Sequence, residues 1–409
     1  MELKKTTLNT LFITFDGLSD PLGQSQILPY LKGLANNNYN ITILSCEKKE
    51  RFSSESPNIR EQLNQLGISW TYVFYDEKGG FLSRFLYLKQ LKTLAKKEVA
   101  KNKISLTHCR SYLASIIGLY LKKKYQIPFI FDMRGFWADE RIDGKIWSKT
   151  KAHQLLAYKY FKKKEKQLLR QSDAIISLTH NGQDYLEKTF PHKNILQKTT
   201  VIPCCVDLNI FNPTNLNSFK PKSKINPEDH LIISTGSVGT WYFTKEMIDC
   251  ILVWKKYIPN IKLLILTRDT KELNKILENY NSHQKEIIIT ESALYHQVPN
   301  YLSLAKASIF FIKPAFSKIA SSPTKMAECW AMNLPIITNS NIGDNNMYFN
   351  KYNGGVLIDD FNEANYRKAC ENYLKLTHTK NNYRNIALEH FNTQNAILKY
   401  ASIYQSLSK

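Results

Sequence analysis

Short runs of apolar, β-branched and aromatic residues alternate along the chain with segments whose apolar residues recur at helical spacing. The first run is LNTLFITF at residues 8–15, and the helical pattern ILPYLKGLA follows at residues 27–35, after a polar loop. Such a run predicts a buried strand, whereas a period of about 3.6 residues predicts an amphipathic helix. Strand, loop and helix form the repeating unit of this sequence.

The unit repeats in two stretches of the chain. In the first stretch, further strands are predicted at YNITILSCE, ISLTHCRSY, IPFIFDMRG, DAIISLT and TTVIPCC. In the second stretch, they are predicted at HLIISTGSVG, IKLLILTRD, KEIIIT, ASIFFIKP, LPIITNS and GGVLIDD. Strands that alternate with helices favour parallel sheets, in which working residues lie at the carboxyl ends of the strands.

The segment between the two stretches, residues 206–230, is rich in Asn, Pro and Ser and lacks a helical period, as is typical of a linker. A length of 409 residues also suits two domains. We therefore predict an α/β protein with two doubly wound Rossmann-like domains facing a central cleft. Residues 1–206 form the N-terminal domain, residues 207–385 the C-terminal domain, and residues 386–409 a helix that packs back on the N-terminal domain.

The formal net charge is +21, and much of it is concentrated in one segment. Residues 84–170 contain 22 Lys and Arg against 6 Asp and Glu, a local net charge of +16. A basic surface of this kind suits an anionic partner such as acidic lipid headgroups, a lipid diphosphate or nucleic acid. A solvated, lysine-rich helix face is the alternative. We predict no nucleic-acid binding, because the sequence has no RNP aromatic motif or comparable signature.

The cysteines and the apolar runs indicate in which cellular compartment the protein is expected. Seven cysteines, of which Cys204 and Cys205 are adjacent, do not suggest a disulfide framework and fit a reducing compartment. The apolar run before Asp16 is too short for a signal peptide, and no run has the length of a membrane span. The longest one, residues 111–121, is followed by three lysines and is interpreted as a core helix. We expect a cytoplasmic protein.

The segment SSPTKMAECWAMNLPII at residues 321–337 has the pattern of a capped helix start. Ser322 is predicted as the N-cap, with Pro323 at the first helical position. The unpaired amides and the positive dipole end of such a helix suit a phosphate or diphosphate. Lys325 adds a positive charge, and Glu328 lies about 1.5 turns into the helix, where it can accept hydrogen bonds from ribose hydroxyls. Further donors are the hydroxyls of Ser321, Ser322 and Thr324.

The same residues also fit an ordinary capped helix with a surface lysine and a surface glutamate. The position of the segment favours ligand binding, because it lies between two predicted strands of the second stretch. Ligands of doubly wound sheets bind beyond the carboxyl ends of the strands.

This segment resembles the donor-binding segment of the retaining glycosyltransferases of family 4, which have two Rossmann-like domains in the GT-B architecture. Four further segments resemble other conserved motifs of that family and occur in the same order along the chain: DGLSDPLGQSQILPYLKGLA, FDMRGFWADERIDGKIW, VIPCCVDLNIF and STGSVGTWY. The resemblance implies transfer of a sugar from a nucleotide diphosphate sugar, the co-substrate, with retention of anomeric configuration. It implies no metal ion and no other cofactor. It also makes the N-terminal domain the acceptor side and the C-terminal domain the nucleotide-sugar side.

The resemblance assigns roles to single residues of the donor side. Glu328 takes the place of the second glutamate of an E-x7-E motif, which holds the ribose, whereas Ala320 replaces the first glutamate. Val298, in YHQVPNYLSLA, would belong to a strand-to-helix turn beside the base, with an ordinary loop as the alternative.

A glycine-rich turn of the family is matched by Gly236 and Ser237, but the usual arginine after the glycine is missing. A diphosphate site needs a positive charge in its place. The candidates for this charge are Lys245, Arg268 and Lys318.

On the acceptor side, the loop DGLSDPLGQSQ would let the backbone approach the donor phosphates through Gly23. The residues of this loop that we select are Asp16, Gly23 and Gln24. A plain turn is the alternative.

Three residues at predicted strand ends are catalytic candidates. Asp132 and Arg134 lie where family members often carry a histidine, although a structural Asp132–Arg134 ion pair is the alternative. His108 is the further candidate, with a purely structural histidine as the more common case.

The segment WSKTKAHQLLAYKYFKKKEKQLLRQ mixes aromatic and aliphatic residues with lysines, as interfacial amphipathic helices do. It suits an enzyme that is peripheral on the inner face of the cytoplasmic membrane, contacts an anionic membrane surface through residues 84–170, and uses a glycan or lipid-linked acceptor of surface-polysaccharide synthesis. Packing against the sheet is the alternative. Two rival functions stay open: a sugar-nucleotide epimerase of similar architecture, and a basic membrane-associated protein without catalysis.

Overall fold

The computed structural model describes residues 8–76, 80–191, 194–214, 219–379 and 381–408. The chain divides into two compact units. The first unit comprises Met1–Pro203 and Thr393–Lys409, and the second comprises Cys204–Asn392. The predicted boundary at residue 386 falls inside a helix of the second unit, and the chain enters the first unit again at Thr393.

The first unit is built on a parallel seven-stranded sheet in the order β3-β2-β1-β4-β5-β6-β7. Its strands are β1 (Asn9–Thr14), β2 (Asn40–Glu47), β3 (Ser69–Phe74), β4 (Leu106–Arg110), β5 (Phe129–Asp132), β6 (Ala174–Ser177) and β7 (Thr199–Val201). Its helices are α1 (Pro21–Gln26), α2 (Leu28–Asn36), α3 (Lys49–Gln65), α4 (Gly80–Asn102), α5 (Ser111–Tyr125), α6 (Trp137–Asp143), α7 (Ala152–Gln171), α8 (His180–Thr189), α9 (Ile195–Lys198) and α18 (Thr393–Ser406). The strand order is that of a doubly wound sheet.

The second unit repeats this plan with a parallel six-stranded sheet in the order β10-β9-β8-β11-β12-β13. Its strands are β8 (His230–Thr235), β9 (Ile261–Leu266), β10 (Ile288–Glu291), β11 (Ala307–Ile309), β12 (Ile336–Asn339) and β13 (Gly355–Ile358). Its helices are α10 (Thr244–Trp254), α11 (Thr270–Leu277), α12 (Ser282–Lys285), α13 (Val298–Leu304), α14 (Thr324–Ala331), α15 (Asn345–Tyr352), α16 (Glu363–Thr377) and α17 (Arg384–His390).

The central strands appear in the sequence as continuous apolar runs because they are buried in the cores of the two units. Helices cover both faces of a parallel sheet, so residues on both faces of a central strand are buried. All residues of β4, β5, β6 and β12 are indeed buried. In the first unit the last helix packs on α2, where a Cβ at Gly33 would lie 2.1 Å from Cδ1 of Ile397. A side chain at Gly33 would therefore have to displace Ile397 at this helix crossing.

The predicted α/β fold with two doubly wound domains is confirmed, and all twelve predicted strands are present. The prediction missed β3, although SWTYVF has the aromatic and β-branched composition of a strand; β3 is an edge strand whose residues are only partly buried or exposed. Residues 1–7 and, in the predicted linker, 215–218 lie outside the described residues. Within the described part of the chain, no helix combines the length and the apolar character that a membrane span needs.

Candidate functional site

The second unit has its topological switch point between β8 and β11, which are neighbours in the sheet. The chain leaves these two strands towards opposite sides, so a crevice is expected beyond their carboxyl ends. The turn that begins at Gly236 follows β8, and α14 follows β11. Both predicted donor-binding motifs therefore belong to this one sheet edge.

Gly236 and Lys325 lie close together at this edge. Gly236 has a φ of 97°, and a Cβ built on it would lie 3.5 Å from Nζ of Lys325. Its amide donates a hydrogen bond of 3.0 Å to the carbonyl oxygen of Leu266 at the end of β9. A positive φ favours glycine, and the absent side chain leaves the Lys325 ammonium next to bare backbone.

Lys325 is only 6% exposed, although it carries a charge. Its ammonium lies 3.7 Å from the centroid of the Tyr242 ring and 5.2 Å from that of the Phe310 ring. Aromatic faces attract cations, and this attraction partly offsets the cost of burying the ammonium. The contact of Tyr242 with Lys325 was not predicted from the sequence. The one sequence feature that pointed to Tyr242 was its position in the loop after Gly236.

The start of α14 differs by one residue from the prediction. The N-cap is Pro323, with an extended ψ of 121°, and the helix begins at Thr324; Ser322 is therefore not the N-cap. The Ser322 hydroxyl instead accepts a hydrogen bond of 3.1 Å from the backbone amide of Cys204. It thus holds the chain segment at the beginning of the second unit.

Glu328 lies on the same helix as Lys325 and is buried. Burial raises the pKa of its carboxyl group to about 7, against the opposing effects of the Lys325 charge and a hydrogen bond from the Tyr295 hydroxyl. Tyr295 belongs to a 3-10 turn directly before Val298, the first residue of α13. The segment YHQV thus does lie close to Glu328, but the contact is made by Tyr295, which was not among the predicted site residues.

The three candidates for the missing positive charge have different surroundings. Lys318 is buried, with its ammonium 3.6 Å from the centroid of the Trp241 ring, in the same loop as Tyr242. Lys245 is exposed and forms an ion pair of 2.6 Å with Asp249 one turn along α10. Arg268 is exposed and donates a hydrogen bond of 3.3 Å to the carbonyl oxygen of Ala293. Lys318 is therefore the candidate whose charge lies beside the Gly236 loop.

The remaining predicted donor residues are more open. Ser237 is exposed in the turn after Gly236. The half-buried members of the set are Val298, Ser321, Pro323 and Thr324.

In the first unit, the loop after β1 is organised by Glu47, at the end of β2. Its carboxylate accepts hydrogen bonds from the backbone amides of Leu18 (2.8 Å) and Ser19 (3.2 Å) and from the Ser19 hydroxyl (2.5 Å). A Cβ at Gly23 would lie 2.0 Å from the carbonyl oxygen of Gly17, so this turn needs glycine. Glu47 was not predicted as a site residue, although an acidic residue at the end of the second strand is a frequent feature of doubly wound sheets.

The other two selected residues of this loop have protein partners. Gln24 donates a hydrogen bond of 3.1 Å to Glu55, and Asp16 accepts one of 3.0 Å from Nε of Arg110. The Asp16 side chain is still partly exposed. A binding role for either residue stays a prediction.

The catalytic candidates form a buried ionic cluster at the ends of β4 and β5. Oδ2 of Asp132 lies 3.6 Å from Nε2 of His108 and 3.8 Å from Arg110, and Oδ1 lies 3.8 Å from Arg134. The opposite nitrogen of the His108 ring, Nδ1, lies 2.8 Å from the hydroxyl of Tyr404 on α18. Arg134 has a φ of 56°, which is unusual for a residue with a side chain.

The electrostatics of this cluster favour an ionised aspartate and a neutral histidine. Burial alone raises the pKa of Asp132, but the nearby charges of Arg134 and Arg110 and the close contact with His108 outweigh it, and the pKa is lowered. Burial lowers the pKa of His108. Both side chains are almost completely inaccessible, which favours the structural alternative; a catalytic role for Asp132, Arg134 or His108 stays a prediction.

Known proteins share this fold. In solved structures, a glycosyltransferase from Rickettsia africae has 14% identity, covers 99% of both chains and gives a TM-score of 0.72. A sucrose-phosphate synthase from Thermosynechococcus elongatus has 14% identity over 98% of this chain and 99% of its own, with a TM-score of 0.69. HepE from Anabaena, in complex with UDP-glucose, has 12% identity over 98% of this chain and 100% of its own, with a TM-score of 0.68.

A match to a known sequence family lies almost entirely in the first unit. No curated protein matches the chain significantly. The model of Glycosyltransferase Family 4 matches residues 26–210, which include the Arg110, Asp132 and Arg134 strand ends. Residues 26–210 are thus similar to Glycosyltransferase Family 4, and the chain as a whole, with its two doubly wound units, has the GT-B fold of these solved glycosyltransferases.

Proposed function

We propose that this protein transfers a sugar from a nucleotide diphosphate sugar to an acceptor hydroxyl, with retention of anomeric configuration and without a metal ion. The observation that carries the proposal is the buried ammonium of Lys325 beside Gly236, at the beginning of α14. A buried cation, bare glycine backbone and free amides of a first helical turn together suit a diphosphate.

The chemistry of the reaction needs such a site. The diphosphate leaving group gains about one negative charge as the glycosidic bond breaks. A cation and helix-end amides that are already in place stabilise this charge without reorganisation, and they are more effective where water is excluded. We assign this role to Lys325 and to the amides of Thr324 and Lys325, with Lys318 as the second cation because it flanks the same aromatic loop.

Glu328 is proposed to bind the ribose of the donor. It lies one helical turn after Lys325, and its carboxylate already accepts a hydrogen bond from Tyr295. Two ribose hydroxyls would supply the donors that a buried carboxylate needs. Because ribose binding favours the charged carboxylate, donor binding would release a proton near neutral pH.

The acceptor is proposed to be a lipid-linked or surface-polysaccharide precursor, bound by the first unit at an anionic membrane surface inside the cell. The support comes from α7, which buries Ala157, Phe161 and Leu168 but leaves Leu156 67% exposed among lysines. Exposed apolar side chains within a strongly basic segment suit the interface of an acidic membrane.

A nucleotide screen tests the donor site. We expect UDP, GDP, ADP or TDP, but not CMP, to raise the melting temperature of the purified protein, equally with and without magnesium. UDP-glucose is the first sugar donor to test, since HepE, which is similar in fold, was solved with it. Lys325→Met should abolish the shift, whereas Lys245→Met, which changes an exposed lysine on α10, should retain it. Equal shifts in both variants would contradict the proposed site.

Product analysis separates the proposed transferase from the epimerase alternative. A transferase releases the nucleoside diphosphate in proportion to added acceptor, and the anomeric configuration of its product is read by NMR. An epimerase interconverts two nucleotide sugars with no acceptor present. Acceptor-independent interconversion would therefore overturn the proposal even if the nucleotide binds.

A further inference from the structure

The Gly236 loop, residues 236–243, is fixed across the sheet edge of the proposed donor site. Tyr242 pairs with Ile312 in an isolated antiparallel bridge. The amide of Lys313 also donates a hydrogen bond of 2.9 Å to the carbonyl oxygen of Trp241. Because Ile312 and Lys313 follow β11, the loop reaches from β8 across the topological switch point and is held on its far side.

Two aromatic side chains of this loop lie against the two cations of the proposed donor site. The centroid of the Tyr242 ring is 3.7 Å from the ammonium of Lys325. The centroid of the Trp241 ring is 3.6 Å from the ammonium of Lys318. Both lysines are only 6% exposed. A diphosphate that binds these ammonium groups must therefore reach positions at which the two rings now lie.

The space between the loop and the sheet is too small for a diphosphate. The cavity lined by Gly236, Tyr242 and Phe310, among other residues, has a volume of about 10 Å³, which is room for about one water molecule. A Cβ built on Gly236 would lie 3.5 Å from Nζ of Lys325, so no phosphate group fits between this glycine and the ammonium either. Contact between a diphosphate and Lys325 therefore requires a rearrangement of the loop or its rings.

The loop is strained where it turns. Thr240 has a φ of 48°, a left-handed conformation that a β-branched residue rarely adopts. Such strain persists only where surrounding contacts hold it, and it is typical of segments that switch between two conformations. The contacts that hold the Gly236 loop are the bridge between Tyr242 and Ile312 and the two contacts between rings and ammonium groups. Loss of the ring contacts would therefore favour a different conformation of the turn.

We propose that Tyr242 and Trp241 form an aromatic gate of the donor site, which is closed in the ligand-free protein and which the donor diphosphate opens by replacing the two rings at the ammonium groups. The gate presupposes that Lys325 and Lys318 bind the diphosphate, as proposed above. A charge-assisted hydrogen bond to a phosphate oxygen is stronger than a cation–π contact, so the exchange is favourable. The donor shifts the loop to its open conformation because it binds that conformation alone.

A gate and a purely supporting contact predict opposite effects when the ring is removed. If Tyr242 only supports Lys325, loss of the ring weakens diphosphate binding. If Tyr242 competes with the diphosphate, loss of the ring strengthens binding, because the donor no longer has to displace it. The energy of a cation–π contact corresponds to an affinity change of about 2- to 30-fold. We therefore expect Tyr242→Leu to bind UDP more tightly by this factor in calorimetry, although the variant is less stable in denaturant.

Three further variants separate the gate from other effects of mutation. Tyr242→Phe keeps the ring over Lys325 and should show no gain in affinity. Trp241→Leu removes the second ring and should also bind UDP more tightly, so it tests the gate even if Tyr242→Leu does not fold. Tyr257→Leu changes a 46% exposed tyrosine before β9 and should bind UDP as the unchanged protein does. Weaker binding by both Tyr242→Leu and Trp241→Leu, or equal affinities in all variants, would overturn the gate.

Trp241 also reports the opening of the gate without any substitution. When the diphosphate displaces its ring from the Lys318 ammonium, tryptophan fluorescence should change; saturating inorganic diphosphate should cause the same change, and uridine should not. Trp241→Phe should lose this signal and still bind UDP. If UDP binds the unchanged protein with neither a fluorescence change nor tighter binding by the ring variants, the gate alone fails and the donor site stands. If UDP, GDP, ADP and TDP all fail to bind, the donor site fails, and the gate fails with it.

Discussion

The ammonium group of Lys325 lies 3.7 Å from the centroid of the Tyr242 ring, so an aromatic face supports a buried charge at the beginning of α14. Tyr242→Leu removes that support and should lower the free energy of unfolding by about 0.5–2 kcal/mol. Denaturant unfolding measures the change. Tyr242→Phe keeps the ring and is the control; equal losses in the two variants would show that the hydroxyl, not the ring, matters.

Lys318 should contribute to diphosphate binding, whereas Arg268 should not. Lys318 is buried beside Trp241, but Arg268 extends from the surface towards Ala293. Loss of a charge-assisted contact to the diphosphate costs about 1.5–3 kcal/mol, so Lys318→Met should weaken UDP roughly 10- to 150-fold by calorimetry. Arg268→Met should leave the affinity within about twofold. If Arg268→Met weakened UDP binding more than Lys318→Met did, the second cation of the site would be Arg268, after the end of β9.

Glu328 should make the stability of the ligand-free protein depend on pH. Burial raises the pKa of its carboxyl group from 4.5 to about 7, so between these values the folded state binds more protons than the unfolded state. The free energy of unfolding should therefore fall as pH rises from 4.5 to 7, by up to about 3 kcal/mol. Glu328→Gln keeps the shape and still accepts a hydrogen bond from Tyr295, but it removes this titration.

The measurement compares the two proteins over that pH range by denaturant unfolding. We expect Glu328→Gln to be close to the unchanged protein at pH 4.5 and more stable at pH 8, while its affinity for UDP falls. Parallel stability curves for the two proteins would contradict the buried titration of Glu328.

Glu47 should hold the loop after β1 in place. Its carboxylate only accepts hydrogen bonds, and two of its donors are the amides of Leu18 and Ser19. Glu47→Gln turns one oxygen into a donor that faces other donors, at a cost of about 2–4 kcal/mol. Hydrogen exchange at Leu18 and Ser19 should become faster. Glu55→Gln, at the half-buried partner of Gln24, is the control and should leave these amides protected.

The sequence predicted what short-range periodicity determines. Strands such as β4 and β12 were found because every residue of a covered parallel strand is buried and apolar positions are continuous. The start of α14 was predicted one residue early because Ser-Pro fits either side of a helix boundary, and the extended ψ of Pro323 decides between them.

Long-range contacts within each unit were not predictable. The bond between Arg110 and Asp16 joins residues 94 positions apart, and no local pattern specifies it. Tyr295 and Glu328 come from different connections of the second sheet, so their hydrogen bond depends on the packing of α14 against the turn before α13. A side chain that only contacts a site residue, as Tyr295 contacts Glu328, belongs to no sequence motif from which it could be predicted.

Asp132→Asn separates catalysis from structure in the buried cluster of the first unit. With a neutral amide, Arg110 and Arg134 would face each other without the negative charge that now lies 3.8 Å from each. Loss of one partner from a buried ion pair costs about 3–5 kcal/mol, so we expect strong destabilisation in denaturant unfolding. Asp16→Asn also removes a partner of Arg110, but at a partly exposed site, and should cost about 1 kcal/mol or less. If Asp132→Asn instead unfolds like the unchanged protein and binds UDP normally but has lost turnover, Asp132 acts on the substrate, and the ionic cluster is not what holds these strand ends together.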